Sequence, residues 1–228
     1  MPSPEERKLL ILKVAIRLFA RQGYDATTLA QIAREAGASI GSVVHFFQDK
    51  PHLLLDARES ALADLTATVE GALRRHHRDV AKAAAEVIRA YFDWVSSNPE
   101  MAILVHDAAV SRTGQSGSLT AAARLHPVFE AWMADFRGAG LNPGYDARYL
   151  VALILGPAMT LAAAQGEQQQ DDLGHASLAS DLARAAAAGL RAGSKKGLSP
   201  NRPNHDCVAE AEPQVPSQPA KLAQLSLL

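Results

Sequence analysis

The chain has 228 residues, with 23 Lys and Arg against 24 Asp and Glu and a formal net charge of −1. A balance this close to neutral excludes a strongly basic nucleoid-type protein, and 48% hydrophobic residues can bury a sizeable core in one or two domains. Only 5% of the residues are aromatic and β-branched runs are few, so alanine supplies much of the apolar content. We therefore expect an all-α chain.

Three features of the sequence indicate the cellular compartment of the protein. The single cysteine, Cys207, cannot form an intrachain disulfide, which favours a reducing environment. The N-terminus is charged and lacks a signal-peptide pattern. The longest apolar run, residues 151–164, is shorter than the about 20 residues of a spanning helix and contains Pro157. The expectation is a cytoplasmic protein with no membrane partner.

Residues 5–22 are predicted to form the first helix, which Gly23 stops. Its apolar stripe recurs at helical spacing and comprises Ile11, Val14, Ala15, Leu18 and Phe19. Residues 1–50 carry a mild basic surplus, seven basic groups against five acidic ones. Such a surplus fits one half of a DNA-binding dimer.

Two short helical patterns meet at a glycine within residues 27–50. Thr28 is a candidate cap for the first, and Gly37 allows the positive φ that ends a helix and turns the chain. Ser39 offers a second cap for a helix that continues through Phe47, with Val43 and Phe47 on its inward face. This pattern predicts a helix-turn-helix, whose second helix enters a DNA major groove.

The rest of the chain is predicted to form a helical body followed by a tail. A long helix begins at Asp49-Lys50-Pro51 and leads to a basic cluster at residues 74–78. Pro127 predicts a kink or a break in one body helix. The body helices are expected at residues 80–96, 100–110, 119–136, 145–165 and 176–192, with loops at 111–118 and 138–144. Residues 193–228 are polar and proline-rich and are predicted to be disordered.

The head of the chain, about residues 5–65, resembles the TetR/AcrR family of transcriptional regulators. The resemblance is a long register of spaced positions: Ile11, Ala15, Leu18, Phe19, Gly23-Tyr24, Thr27-Thr28, Ile32-Ala33, Ala36-Gly37, Ser39, Gly41, Phe47 and Lys50. Residues 66–192 resemble the family only in architecture. That architecture implies an N-terminal three-helix DNA-binding domain and a helical ligand-binding and dimerisation domain.

The resemblance also implies roles for single residues. Thr28 would contact a phosphate and Lys50 would neutralise one, while His45 would reach backbone or base. The residues at or near the groove would be Ser39, Ile40, Gly41, Ser42 and Val44. The family usually has a tyrosine in place of Val44 and often another aromatic hydroxyl in place of Phe46, so two hydrogen bonds of about 1 kcal/mol each are absent. Contact between Val44 and a thymine methyl would restore some specificity.

In the body, aromatic and methionine side chains are candidates for an apolar effector pocket, although such residues at helical spacing also form plain cores. They are Tyr91, Trp94, Met101, His106, Phe129, Trp132, Met133 and Met159. The histidines show no metal-ligand spacing, and no cofactor motif is present. Catalysis by His106 and Asp107 is disfavoured because neighbours in a helix diverge by about 100°.

The helices at 145–165 and 176–192 are predicted to dimerise, because the first is apolar nearly all round and alanines permit close approach. The leading hypothesis is a homodimeric repressor that a small apolar or amphipathic effector releases from a pseudo-palindromic operator. The alternative is a ligand- or partner-binding module of the same fold with weakened or lost DNA binding. A small helical hydrolase would need a nucleophile–base pair that the sequence does not offer.

Overall fold

The computed structural model describes residues 3–75, 79–106, 120–138, 146–153, 155–156 and 172–195, and all regular structure in these ranges is α-helical. The all-α prediction is thereby confirmed. None of the described helices is long and apolar enough to cross a bilayer. The helices are α1 (Pro4–Ala26), α2 (Leu29–Glu35), α3 (Ile40–Phe47), α4 (Lys50–Arg75), α5 (Val80–Ser97), α6 (Pro99–His106), α7 (Ala121–Gly138), α8 (residues 147–153 and 155–156) and α9 (Asp172–Lys195).

Helix α1 begins and ends where local chemistry dictates. Ser3 and Glu6 form a capping box, in which the Ser3 hydroxyl accepts from the Glu6 N–H at 3.2 Å and the Glu6 carboxylate accepts from the Ser3 N–H at 2.7 Å. Gly23 has φ 84 and ψ 167, so the regular helix stops there as predicted, and a last turn continues to Ala26.

Two hydrophobic clusters divide the molecule. The first, the head core, joins α1, α2 and α3 to the start of α4 and ends on that helix at Ala57. The second, the body core, begins on α4 at Ala61 and includes α5, α7, α8 and α9. Helix α6 belongs to both, because Leu104 is part of the head core and Met101 packs against both clusters. The domain boundary near residue 65 remains a prediction.

Helix α5 occupies the middle of the body. It packs on α4 and α9, and its alanines allow α9 to approach closely through Ala183 and Ala187. Across the α4–α5 contact, the Trp94 indole N–H donates to the Asp64 carboxylate at 2.7 Å. This bond satisfies the polar atom of a buried ring and fixes the register of the two helices.

Of the two outcomes predicted at Pro127, a kink or a break, the break is absent. Helix α7 runs through Pro127 without a break, because one lost backbone hydrogen bond is offset by the burial of Leu125 and Phe129 on either side. In the described part of helix α8, Tyr149 and Ala152 are exposed, so not all of its surface is buried in the body core.

Other sequence predictions fall partly or wholly outside the described residues. The loop at 111–118, the second half of the helix at 145–165, and Met159 lie outside them. Of the predicted tail, residues 193–195 are the last residues of α9, so the tail boundary shifts by three residues, and 196–228 lie outside the described part.

Candidate DNA interface

Helices α2 and α3 are each started by a side-chain cap. The Thr28 hydroxyl accepts from the Gln31 N–H at 3.1 Å, and the Ser39 hydroxyl accepts from the Ser42 N–H at 3.1 Å. Between the two helices Gly37 has φ 61, a conformation that costs little only without a Cβ. The two caps and the glycine turn are therefore confirmed.

Helix α3 has two opposite faces. Val43 and Phe47 are 1% and 2% exposed and anchor the helix in the head core, as predicted. Ile40 and Val44 are 52% and 43% exposed, and His45 is also exposed. Large apolar side chains left in solvent on one helix face are typical of a contact surface.

Gly41 lies on the same surface without a structural need for glycine. A Cβ built there meets only the Ser39 hydroxyl, at 3.8 Å, an ordinary contact. Its φ is not in the left-handed region, unlike that of Gly37. The fold does not require a glycine at position 41, and the missing side chain leaves the outer surface of α3 open at this point.

Lys50, predicted as a phosphate contact, has a second role that sequence reasoning missed. Its ammonium donates to the carbonyl oxygens of Tyr24 and Thr27, at 2.8 and 2.9 Å, and lies 4.1 Å from the centre of the Tyr24 ring. The first residue of α4 is thereby tied to the junction of α1 and α2. An ammonium has three N–H groups, so a third donor remains beside the N-terminus of α2 and Thr28.

The same junction holds a buried polar network that was also missed. Thr27 is fully buried, and its hydroxyl donates to the Gly23 carbonyl at 2.7 Å. The Gln22 amide donates to the Thr27 hydroxyl at 3.2 Å and to the Gln31 side chain at 2.8 Å. These bonds fix the angle at which α2 leaves α1. Two adjacent threonines after a glycine were the available sequence signal.

Some basic side chains of the head are paired with carboxylates. Arg17 lies 3.0 Å from Glu35, and Arg21 of α1 lies 3.1 Å from Glu100 of α6. Within the described ranges Arg34 of α2 is exposed and has no ion pair. Sequence reasoning did not select Arg34, although it lies on the helix expected to cross the DNA backbone.

The predicted effector-pocket residues that the structure describes, which exclude Met159, lie in or beside the body core. The Tyr91 hydroxyl and His106 Nε2 are 2.5 Å apart, a contact that joins α5 to α6. Burial raises the pKa of Tyr91 and lowers the pKa of His106, so both side chains are neutral at pH 7. Sequence reasoning placed both in one pocket but did not foresee their bond.

The other described candidates pack in the body core, where Phe129 and Trp132 meet edge to face with ring centres 6.5 Å apart. Trp94 and Met133 are buried in the same cluster. A cleft of about 450 Å³ between α5 and α9 has a different lining, and none of the predicted residues borders it. Its polar rim includes Lys82, Arg89, Ser180, Arg184 and Arg191.

A cluster with metal-ligand chemistry occurs that the spacing of the histidines did not indicate. His126, Glu130 and Asp146 each place one donor atom within 4.8 Å of the other two. His126 and Glu130 are four residues apart on α7, and Asp146 comes from beyond the described end of that helix. Only folding brings the third residue to the pair.

Comparison with known proteins supports the head geometry. The family described as bacterial regulatory proteins, tetR family, matches residues 11–57. The transcriptional regulator HbdR of Aromatoleum sp. (strain CIB) is 48% identical over 50 residues, 22% of each chain. The regulator BetI of Vibrio parahaemolyticus is 33% identical over 82 residues, 34% of this chain and 41% of BetI. These matches thus span less than half of the relatives' own length.

Solved structures extend the likeness in fold to most of the chain. The fatty acid degradation regulator FadR from Bacillus halodurans aligns over 84% of this chain and 98% of its own, with a TM-score of 0.66 and 16% identity. FadR from Bacillus subtilis, solved in complex with stearoyl-CoA, aligns over 79% and 98% with the same TM-score and identity. At this identity the likeness shows the fold alone. The N-terminal helix-turn-helix, at residues 11–57, thus matches the tetR family of bacterial regulatory proteins.

Proposed function

We propose that the chain is a homodimeric repressor whose helix α3 reads operator DNA. The observation that carries this proposal is the outer face of α3, where Ile40, Gly41, Val44 and His45 are exposed. The buried inner face holds the helix at a fixed angle. Small and β-branched side chains on such a helix approach base edges and thymine methyl groups.

Selection from a random duplex DNA pool tests the operator. The full chain is expected to enrich a pseudo-palindromic site with half-sites about one helical turn apart, with affinity that falls as salt rises. Failure to enrich any sequence at low salt would contradict the proposal.

A pair of matched variants locates the contact. Val44 of α3 and Ile103 of α6 are both 43% exposed, so a glutamate at either position leaves the cores intact. We expect V44E to weaken binding to the selected site at least tenfold in fluorescence anisotropy, because its charge would face phosphates. I103E should bind like the parent. Equal losses in both variants would argue against α3 as the reading helix.

Dimerisation is proposed to use α8 and α9. Beyond the face that packs on α5, α9 exposes Ala185, Ala188 and Gly189, and α8 exposes Tyr149 and Ala152. Small residues on two adjacent helices suit a four-helix contact between two copies. In light scattering after gel filtration the parent should be a dimer and A185E a monomer, while A122E on the exposed side of α7 stays dimeric. A monomeric parent would overturn this step.

An amphipathic effector is proposed to enter the body beside Tyr91 and His106. These side chains form a neutral polar pair within an apolar cluster, a setting suited to the polar part of such a molecule. The related fold of Bacillus subtilis FadR holds stearoyl-CoA, which supports a long acyl thioester as the probe. Helices α4 and α6 belong to both cores, so a ligand that shifts either helix moves the head.

The release of DNA on addition of an effector measures the coupling between the body and the head. Stearoyl-CoA should lower the anisotropy of the complex with the selected site, and free coenzyme A should not. The variant Y91F keeps the ring and removes the hydroxyl, and it should raise the concentration of effector needed for release. Equal release by coenzyme A alone would contradict an apolar requirement.

A second candidate is a ligand-binding module that no longer reads DNA. Val44 and Phe46, which lack the hydroxyls usual in the family, favour it. The double variant V44Y/F46Y separates the two candidates. If it gains a specific complex that the parent lacks, the second candidate is correct, whereas specific binding by the parent excludes it.

A further inference from the structure

The cluster of His126, Glu130 and Asp146 has the donor set of a transition-metal site. One imidazole nitrogen and two carboxylates lie within 4.8 Å of one another, and His126 Nε2 is 3.7 Å from Glu130 Oε1. Tetrahedral zinc with bonds of about 2.0–2.2 Å places its ligands about 3.3–3.5 Å apart. Small side-chain rotations therefore bring these donors onto one cation.

The backbone presents the three donors on one side. His126 and Glu130 are separated by four residues of α7, so their side chains lie one turn apart on the same face. Asp146 immediately precedes α8, and one of its oxygens accepts from the Arg148 N–H at 2.7 Å. That bond restrains the Asp146 carboxylate, one oxygen of which lies within 4.8 Å of the donor atoms of the α7 pair.

The imidazole nitrogen is the most informative atom of the cluster. His126 Nε2 is buried, and within the described part of the chain it has no hydrogen-bond partner. A buried nitrogen without a partner is costly, and coordination to a cation would remove that cost.

Arg124, on the same helix as His126, is paired with Glu59 of α4. We propose that His126, Glu130 and Asp146 bind one divalent transition-metal ion, with Zn²⁺ as the representative cation. Nitrogen and oxygen donors suit this class of ion, and three protein ligands leave a coordination position for water.

Such an ion would link α7 to the start of α8. Binding to the folded chain alone would stabilise it, because the unfolded chain does not hold the three donors together. The proposal concerns the body and does not depend on DNA binding, so the two can fail separately.

Zinc titration of the full, tag-free chain tests the proposal. After removal of metals with a chelator, isothermal titration with Zn²⁺ should show one site per chain, and Zn²⁺ should raise the Tm by several degrees. Substitution by Co²⁺ should give the visible absorption of a nitrogen- and oxygen-ligated ion. Absence of a stoichiometric site for Zn²⁺ would overturn the proposal.

Conservative variants identify the ligands. H126Q, E130Q and D146N keep side-chain size, and Asn still caps a helix; each should weaken Zn²⁺ binding at least tenfold and abolish the Tm rise. The matched control is H52Q. His52 Nδ1 lies 2.7 Å from the carboxylate of Asp49, but among the described residues no third ligand joins this pair. Retention of the site by H126Q, or its loss in H52Q, would contradict the assignment.

A metal-free stability measurement keeps the test interpretable. Without Zn²⁺ the ligand variants should have circular dichroism spectra and Tm values close to those of the parent, because the three side chains are only partly buried or exposed. Loss of Zn²⁺ binding in a variant that remains folded then reports on coordination. If all three variants remain folded and still bind Zn²⁺, the three side chains are not the ligands of the ion and the proposal is wrong.

Discussion

The head and the body of this chain use apolar residues in opposite ways. In the head, α3 buries Val43 and Phe47 but leaves Ile40 and Val44 in solvent. In the body, the side chains of Tyr91, Trp94, Phe129 and Trp132 are enclosed in one cluster. An exposed apolar face that the fold does not need indicates a contact with a partner. A buried aromatic ring has two interpretations, packing and ligand contact.

The difference teaches which measurements are informative in each region. Substitutions on the outer face of α3 should alter DNA binding and leave stability nearly unchanged. Substitutions of the enclosed aromatic residues should alter stability first. The predictions below test this contrast, and each states a result that would weaken it.

The largest expected effect is on the body core. F129A should lower the free energy of unfolding by about 3–5 kcal/mol, because a fully buried ring is removed and its space does not close completely. Urea unfolding of F129A and of F46A, whose ring is only partly buried, provides the measurement and its control. A loss near 1 kcal/mol in F129A would indicate that Phe129 borders a cavity, and the body would then resemble a pocket more than a packed core.

The next effect separates two glycines of the head. G37A should cost about 1 kcal/mol of stability, because φ 61 is unfavourable for a residue with a Cβ. G41A should leave stability unchanged or raise it by up to about 1 kcal/mol, because a Cβ fits there and alanine favours helix. Binding of G41A to the selected DNA should nevertheless weaken. Parent-like DNA affinity in G41A would remove the functional explanation of this glycine.

A smaller effect separates capping from recognition at Ser39. S39A should lose about 1 kcal/mol, because the Ser42 N–H loses its acceptor. S39D keeps a capping oxygen and places a negative charge at a helix N-terminus, so its stability should match the parent's. That same charge should repel phosphates and weaken DNA binding. If S39D binds DNA as well as the parent does, the N-terminus of α3 does not approach the backbone.

The smallest effect is a pH dependence from the Tyr91–His106 pair. Burial lowers the pKa of His106 from its ordinary 6.5, so the unfolded chain binds this proton more readily than the folded one. The folded state therefore has its full stability with respect to His106 above pH 6.5, where this side chain is neutral in both states. Stability is lost as the pH falls from 6.5 towards the lower pKa of His106 in the folded chain. Urea unfolding between pH 7 and 5 should show a weaker decline in H106N than in the parent. An identical decline in both would exclude His106 as its source.

Short-range patterns made the head predictable. The caps at Thr28 and Ser39, the turn at Gly37 and the inward Val43 and Phe47 all depend on residues within four positions of each other. Their physical causes are local hydrogen bonds and helical periodicity. The second role of Lys50 was not predictable, because its ammonium reaches carbonyl groups more than twenty positions earlier in the chain.

The sequence by itself determined that the chain is helical, where the head's helices begin and end, and which face of α3 is buried, since propensity, capping and periodicity are local properties. Only the tertiary structure decided that Tyr91 meets His106, that Trp94 meets Asp64, and that Asp146 joins His126 and Glu130. Those contacts depend on how helices cross, and crossing is set by the summed packing of many side chains rather than by any short motif.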